Sequence, residues 1–104
     1  MNQHIFSEIQ ALKRQLLPNE RLILFGSQAR GDAREDSDWD LLVLLDKDKR
    51  NFNEDTDTYC YPFTELGWDH GVVINAIVHA KGQWEKCKSF PFHKNVMQEG
   101  IEIK

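Results

Sequence analysis

The sequence predicts an α+β domain in which one small β-sheet is covered by helices, and three observations lead there. Arg21 to Phe25 and Leu41 to Leu45 are short, almost wholly apolar runs with the length and composition of buried strands. Apolar residues recur at helical spacing ahead of the first run. The segments then alternate in kind along the chain, the order expected when helices pack on a sheet. With 104 residues, 40% of them apolar, there is material for one core, so residues 1–104 are read as a single domain.

Ile5, Ile9, Leu12 and Leu16 share a helical face with Phe6 and Leu17 beside them, while Glu8, Lys13 and Arg14 take the other faces. This is an amphipathic helix, ended by Pro18 and Asn19. Arg21 to Phe25 follows as a strand, and Gly26 breaks it. Ser27 to Arg30 has room for one helical turn with Ser27 as its N-cap, before a polar loop from Gly31 to Ser37. Asp38 to Leu45 begins with two acids and continues as an apolar run, a strand with both faces covered. Asp46 to His70 is the least patterned stretch, and one irregular helix is expected in it. Val72 to Val78 predicts a third strand, with Val72, Ile74, Ala76 and Val78 on one face and Val73, Asn75, Ile77 and His79 on the other. Gln83 to Ser89 reads as helical. Pro91 opens a last short helix through Gln98 that Gly100 ends, leaving Ile101-Glu102-Ile103 as a tail.

A net charge of −4 provides no overall basic footprint, so nucleic acid is not the expected partner. Cys60 and Cys87 stand alone with no CxxC pairing, which suggests neither a zinc site nor a disulfide framework and fits a reducing cytoplasm. Met1 to Leu12 has no apolar signal-like core, and no stretch approaches the roughly 18 apolar residues of a membrane span. A soluble, cytoplasmic protein without membrane contact is expected.

The chemistry concentrates in Gly26-Ser27-Gln28-Ala29-Arg30-Gly31-Asp32 and Ser37-Asp38-Trp39-Asp40. A glycine after a buried strand lets backbone approach a ligand, and a serine opening a helical turn offers a hydroxyl and free N–H groups to an anion. Asp38 and Asp40 lie two apart at a strand entrance, so both carboxylates point to one face while Trp39 points away. Two adjacent hard oxygen donors suit Mg²⁺, which completes its shell with water and phosphate oxygens. Taken singly, a Gly-Ser turn is usually only a turn and Asp-x-Asp usually a solvated strand end. Together, each beside a buried strand, they describe phosphoryl or nucleotidyl transfer.

Over Phe25 to Val43 the segment strongly resembles the minimal nucleotidyltransferase branch of the DNA polymerase β-like nucleotidyltransferase superfamily. That family's pattern is a strand, Gly-Ser, an Ala-Arg-Gly run, and Ser-Asp-x-Asp-Leu entering a second strand. The resemblance implies the nucleotidyltransferase fold, with a small mixed β-sheet covered by helices. It implies that Gly26 and Ser27 hold the β- and γ-phosphates of a nucleoside triphosphate, with ATP as donor. Asp38 and Asp40 would be the catalytic, metal-holding pair for Mg²⁺ or Mn²⁺. Arg30 has two readings, neutralising the triphosphate or bracing the loop by pairing with Asp32 or Asp38. Minimal members are commonly paired with a small helical HEPN protein in toxin–antitoxin systems, which implies a protein acceptor. The runner-up is a binding module with the same fold that neutralises a partner by contact alone.

One departure stands out. Active members carry a third carboxylate on the strand after the variable region, and here that strand offers Asn75, which can donate a carbonyl oxygen to a metal but cannot take a proton. Asp69 and Glu65 are the substitutes to consider. His4, His70, His79 and His93 are scattered without ligand spacing and are read as structural. Trp68 and Trp84 are assigned to core or interface. Tyr59, Tyr61, Phe63, Phe90 and Phe92 exceed what so small a core needs, which suggests either a partner surface or padding on one side of the sheet.

Overall fold

The structure is a computed structural model describing residues 1–104. In chain order it contains α1 (Gln3–Leu16), β1 (Arg21–Phe25), α2 (Ser27–Arg30), β2 (Trp39–Leu45), α3 (Phe52–Asp55), a π-helical turn (Thr56–Cys60), α4 (Tyr61–Asp69), β3 (Ile74–Ala80), α5 (Lys81–Glu85), α6 (Pro91–Glu99) and β4 (Ile101–Ile103). The strands form one mixed sheet in the order β3-β2-β1-β4. Strand β1 runs antiparallel to both its neighbours, while β2 and β3 are parallel. A parallel pair needs a crossover, and the helical segment between β2 and β3 supplies it.

The pleat divides the sheet into two apolar faces. Leu22, Leu24, Trp39, Leu41, Val43, Ile74 and Val78 pack under α1 and α4 with Ile5, Ile9 and Phe63. Ile23, Leu42 and Leu44 face the other way, against Trp84 of α5 and Val96 of α6. Burial of each large side chain contributes about 1.5–3 kcal/mol before the entropy of ordering the chain is set against it. The continuous apolar run of β2 is thereby explained, since both of its faces are covered.

Local signals fix the element ends. Asn2 caps α1 by accepting the Ile5 N–H at 3.1 Å, and Lys13 and Arg14 in the last turn complement the helix dipole. The irregular helix expected between residues 46 and 70 is present as α3, the π turn and α4 in unbroken succession. At its start the buried Asp55 accepts the Asn51 N–H at 2.6 Å and pairs with Lys47 at 2.8 Å. Burial alone would raise the Asp55 pKa, but the bonds from Lys47 and Asn51 and the nearby Arg50 charge outweigh it and hold the carboxyl below its usual range.

Four details differ from the sequence reading. Ile101–Ile103 is not a loose tail but strand β4, paired with Leu22 to Leu24 and tied by a bidentate Arg21–Glu102 pair at 3.1 and 2.8 Å. A three-residue strand is too short to show a period, so its sequence carried no signal. The third strand lies two residues later than expected, at Ile74–Ala80, because Val72 is bonded to Gly67 in the turn that leaves α4. Helix α5 spans Lys81–Glu85 rather than Gln83 to Ser89. Ser27 is the first helical residue of α2 and Gly26 is the N-cap, so the serine hydroxyl does not cap its own turn.

Candidate active site

Strand β1 delivers Gly26 and β2 delivers Asp40 to the same end of the sheet, where Phe25 and Asp40 are register partners. Gly26 has φ +74° and ψ −157°, a conformation that only glycine adopts without strain. A Cβ at this position would collide with the Asp40 carboxylate, whose Cγ would lie only 3.3 Å away. The turn and the acid are thus in direct apposition. The Ala29 and Arg30 amides both bond the Gly26 carbonyl, at 3.1 and 3.0 Å, so the Ser27 and Gln28 N–H groups stand at the head of the turn without helical partners.

The approach of Asp38 is set by a small polar clasp. Buried Gln28 donates from Nε2 to the Ser37 carbonyl at 3.2 Å, and Ser37 Oγ accepts the Arg34 N–H at 2.8 Å. Trp39, whose side chain is buried in the opposite face, donates its backbone N–H to the Val73 carbonyl at 2.9 Å. With Trp39 anchored, Asp38 and Asp40 emerge together on the α6 side. The parallel register sets Asn75 beside Asp40. Asn75 Nδ2 donates to Asp38 Oδ2 at 3.0 Å and to Asp40 Oδ1 at 3.4 Å. One amide nitrogen therefore bridges both carboxylates.

Arg30 makes ion pairs with Asp32 at 3.3 Å and Glu99 at 3.4 Å. The bracing alternative thus describes the structure, with Glu99 of α6 as an unforeseen partner and Asp38 not involved. Phe25, Gly26, Arg30, Phe92, Asn95, Val96 and Glu99 line a cleft of about 280 Å³ beside the turn. Phe25 and Phe92 meet edge to face at 5.4 Å and form its apolar wall. Asp69 and Glu65 belong to α4, which packs under the opposite face of the sheet, so they do not join this cluster. Of the three residues considered for the third position, Asn75 alone lies beside Asp38 and Asp40.

The aromatic residues divide. Phe63 and Trp84 are core, whereas Tyr61, Trp68, Phe90 and Phe92 are exposed, with Tyr61 and Trp68 in edge contact at 5.9 Å. No helix is long and apolar enough to cross a membrane.

Such a sheet, with a glycine turn apposed to paired carboxylates, defines a nucleotidyl-transferring domain, and the comparisons agree. Residues 8–99 match the family model described as "Nucleotidyltransferase domain", and the chain belongs to that family and is a transferase of its kind. It is 44% identical over 81 residues to a protein of Methanocaldococcus jannaschii that carries the name "putative protein adenylyltransferase", covering 78% of this chain and 74% of that one. It also matches a chain from the crystal structure of a toxin-antitoxin with AMP-PNP, with a TM-score of 0.65, 19% identity, and coverage of 100% of this chain and 73% of the other. That likeness concerns the fold, a mixed four-stranded sheet with helices.

The geometry sets an expectation for the turn. Gly26→Val forces a branched side chain into a glycine-only conformation, at a cost of about 1–3 kcal/mol, and drives it into Asp40. Thermal denaturation is expected to show that loss and calorimetry a failure to bind metal–ATP. Ser27→Ala is milder, removing a hydrogen bond to a charged group worth about 1.5–3 kcal/mol in triphosphate affinity while sparing the metal. Parent-like ATP affinity in both variants would exclude the turn as a phosphate cradle.

Proposed function

We propose that this site transfers AMP from ATP to a side chain of a partner protein, a small helical protein of the HEPN type, in the role of an antitoxin. The observation that carries the reading is the apposition of the Gly26 turn to Asp40, with Asp38 alongside. It brings an anion-binding turn against two hard oxygen donors, the combination that a triphosphate and its divalent cation require. The convergence of both carboxylates on one donor supports Asp38 and Asp40 as holders of Mg²⁺ or Mn²⁺. Such an ion supplies charge neutralisation for the triphosphate and alignment of the attacking and leaving oxygens.

In this reading Ser27 and the open amides of the turn bind the β- and γ-phosphates. Arg30 exchanges its two carboxylate partners for phosphate oxygens. The acceptor oxygen attacks the α-phosphorus, the bond from that phosphorus to the bridging oxygen breaks, and pyrophosphate leaves. The acceptor proton passes to solvent water or to a carboxylate or imidazole of the partner beside the acceptor oxygen, because Asn75 cannot take it. The names of the two similar proteins support an adenylyl donor and a partnered role.

A second reading rests on Asn75 itself: a domain that binds nucleotide weakly and neutralises its partner by contact. Incubation with ATP labelled at the α-phosphate, Mg²⁺ and the co-expressed helical partner separates the two. Label on the partner, slow but dependent on Asp38 and Asp40, is the expected result. A stable complex that never acquires label, at any metal concentration, would favour the contact module.

A further inference from the structure

We propose that His4, Glu8 and His70 form a binding site for one transition-metal ion of the zinc class, on the side of the sheet away from the nucleotide site. His4 and Glu8 lie one turn apart on α1 and project from the same side. His70 is the residue that ends α4. One ligand atom from each of the three lies within 4.8 Å of the others. The two imidazoles meet edge to face with ring centroids 5.3 Å apart.

Three features favour a metal over simple contact. The first is donor chemistry, since two imidazoles and a carboxylate form the N, N, O set of open zinc sites, with a fourth position left for water. The second is that none of the three is engaged elsewhere. Although a carboxylate stands beside two imidazoles, the ion pairs of the chain are Arg21–Glu102, Arg30–Asp32, Arg30–Glu99, Lys47–Asp55 and Lys88–Glu85. Glu8 thus stops short of a direct bond to either ring, although one ligand atom of each residue lies within 4.8 Å of the others. Ligand atoms around a tetrahedral zinc at about 2.0–2.1 Å stand roughly 3.3 Å apart. Side-chain rotation of exposed His4 and half-buried Glu8 and His70 can make up that difference.

The third feature is a rigid frame. Buried Ile5 and Ile9 fix the rotation of α1, and the Asn2 cap fixes its first turn. His70 is held by its N–H bond to the Gly67 carbonyl at 3.1 Å, and Gly71 follows at φ +69°. An ion here would tie the start of α1 to the turn that leads through Val73 into β3. Imidazole nitrogen selects zinc-like ions, whereas the paired carboxylates on the other face select hard ions such as Mg²⁺, so the two sites sort metals by donor type.

The test uses untagged protein carrying Asp38→Asn and Asp40→Asn, so the outcome is independent of the nucleotide site. Zn²⁺ is titrated by calorimetry, and Co²⁺ is added as a spectroscopic probe. One equivalent of Zn²⁺ is expected, with tetrahedral-type visible absorption from Co²⁺ and no competition from Mg²⁺. His4→Ala, Glu8→Ala and His70→Ala are each expected to lower the affinity by about 100-fold or more, since even outer-shell changes cost 10–100-fold. Zn²⁺ at a hundredfold excess over Kd should also raise Tm by on the order of 10 °C, a gain lost in each single variant. Circular dichroism of the metal-free variants establishes that they remain folded. No uptake at several-fold excess Zn²⁺, or uptake unchanged by both His4→Ala and His70→Ala, overturns the proposal.

Discussion

Replacing Asp38 and Asp40 together with alanine is expected to abolish the metal dependence of ATP binding. In the parent, Mg²⁺ or Mn²⁺ should raise ATP affinity strongly, because without a cation two carboxylates repel the triphosphate they must accept. In the double variant the repulsion and the cation site vanish together. ATP should then bind weakly through Ser27 and Arg30, and about equally with metal or with chelator. Calorimetric titrations under both conditions give the ratio. Asp38 is exposed and Asp40 half-buried, so the substitutions fall outside the packed core and the protein should stay folded. A ratio unchanged from the parent would show that the metal lies elsewhere.

Asn75→Asp is expected to accelerate transfer, by as much as about 10²–10⁴-fold if the missing element is a base at that position. The amide nitrogen now bridges Asp38 and Asp40, and the substitution replaces its donor with a third carboxylate. Without metal, three like charges in one cluster should lower Tm, and Mg²⁺ should restore more stability to the variant than to the parent. That second readout does not depend on an acceptor being available. A rise in labelling together with the larger metal-induced Tm shift would identify Asn75 as the lesion in an otherwise competent site. Fast transfer by the parent would show that the acceptor or another residue supplies the base. No transfer by either, with partner binding intact, would leave the contact module as the surviving reading.

The parts of the molecule that were legible in the sequence are those where a short-range pattern has one physical outcome. Leu41 to Leu45 can be little else than a doubly covered strand, and alternation from Val72 onward assigned Asn75 to its face although the strand itself begins later. The Gly26 turn and the acid pair were readable because each lies beside such a strand. What escaped depends on residues distant in sequence. β4 exists only through pairing with Leu22 to Leu24, and Glu99 meets Arg30 only because α6 folds back across the sheet. Asp55 carries no local mark of burial, and it is buried only because Lys47 and Asn51 close around it. His4 and His70 are separated by most of the chain, so no spacing rule could join them, and only the packing of α1 near α4 brings them together.

The alternation at the sheet entrance bears on how such domains diverge. Trp39 and Ile74 point into the packing beneath α1 and α4, while their immediate neighbours Asp38, Asp40 and Asn75 point outward into the cluster. Positions one apart in the chain thus answer to different demands, one thermodynamic and one chemical. A lineage can trade a carboxylate for an amide, or reverse the trade, without approaching the threshold below which the domain unfolds. Loss of catalysis in this architecture leaves behind a stable, well-formed protein, free to be kept for the surfaces it presents and one codon away from chemistry.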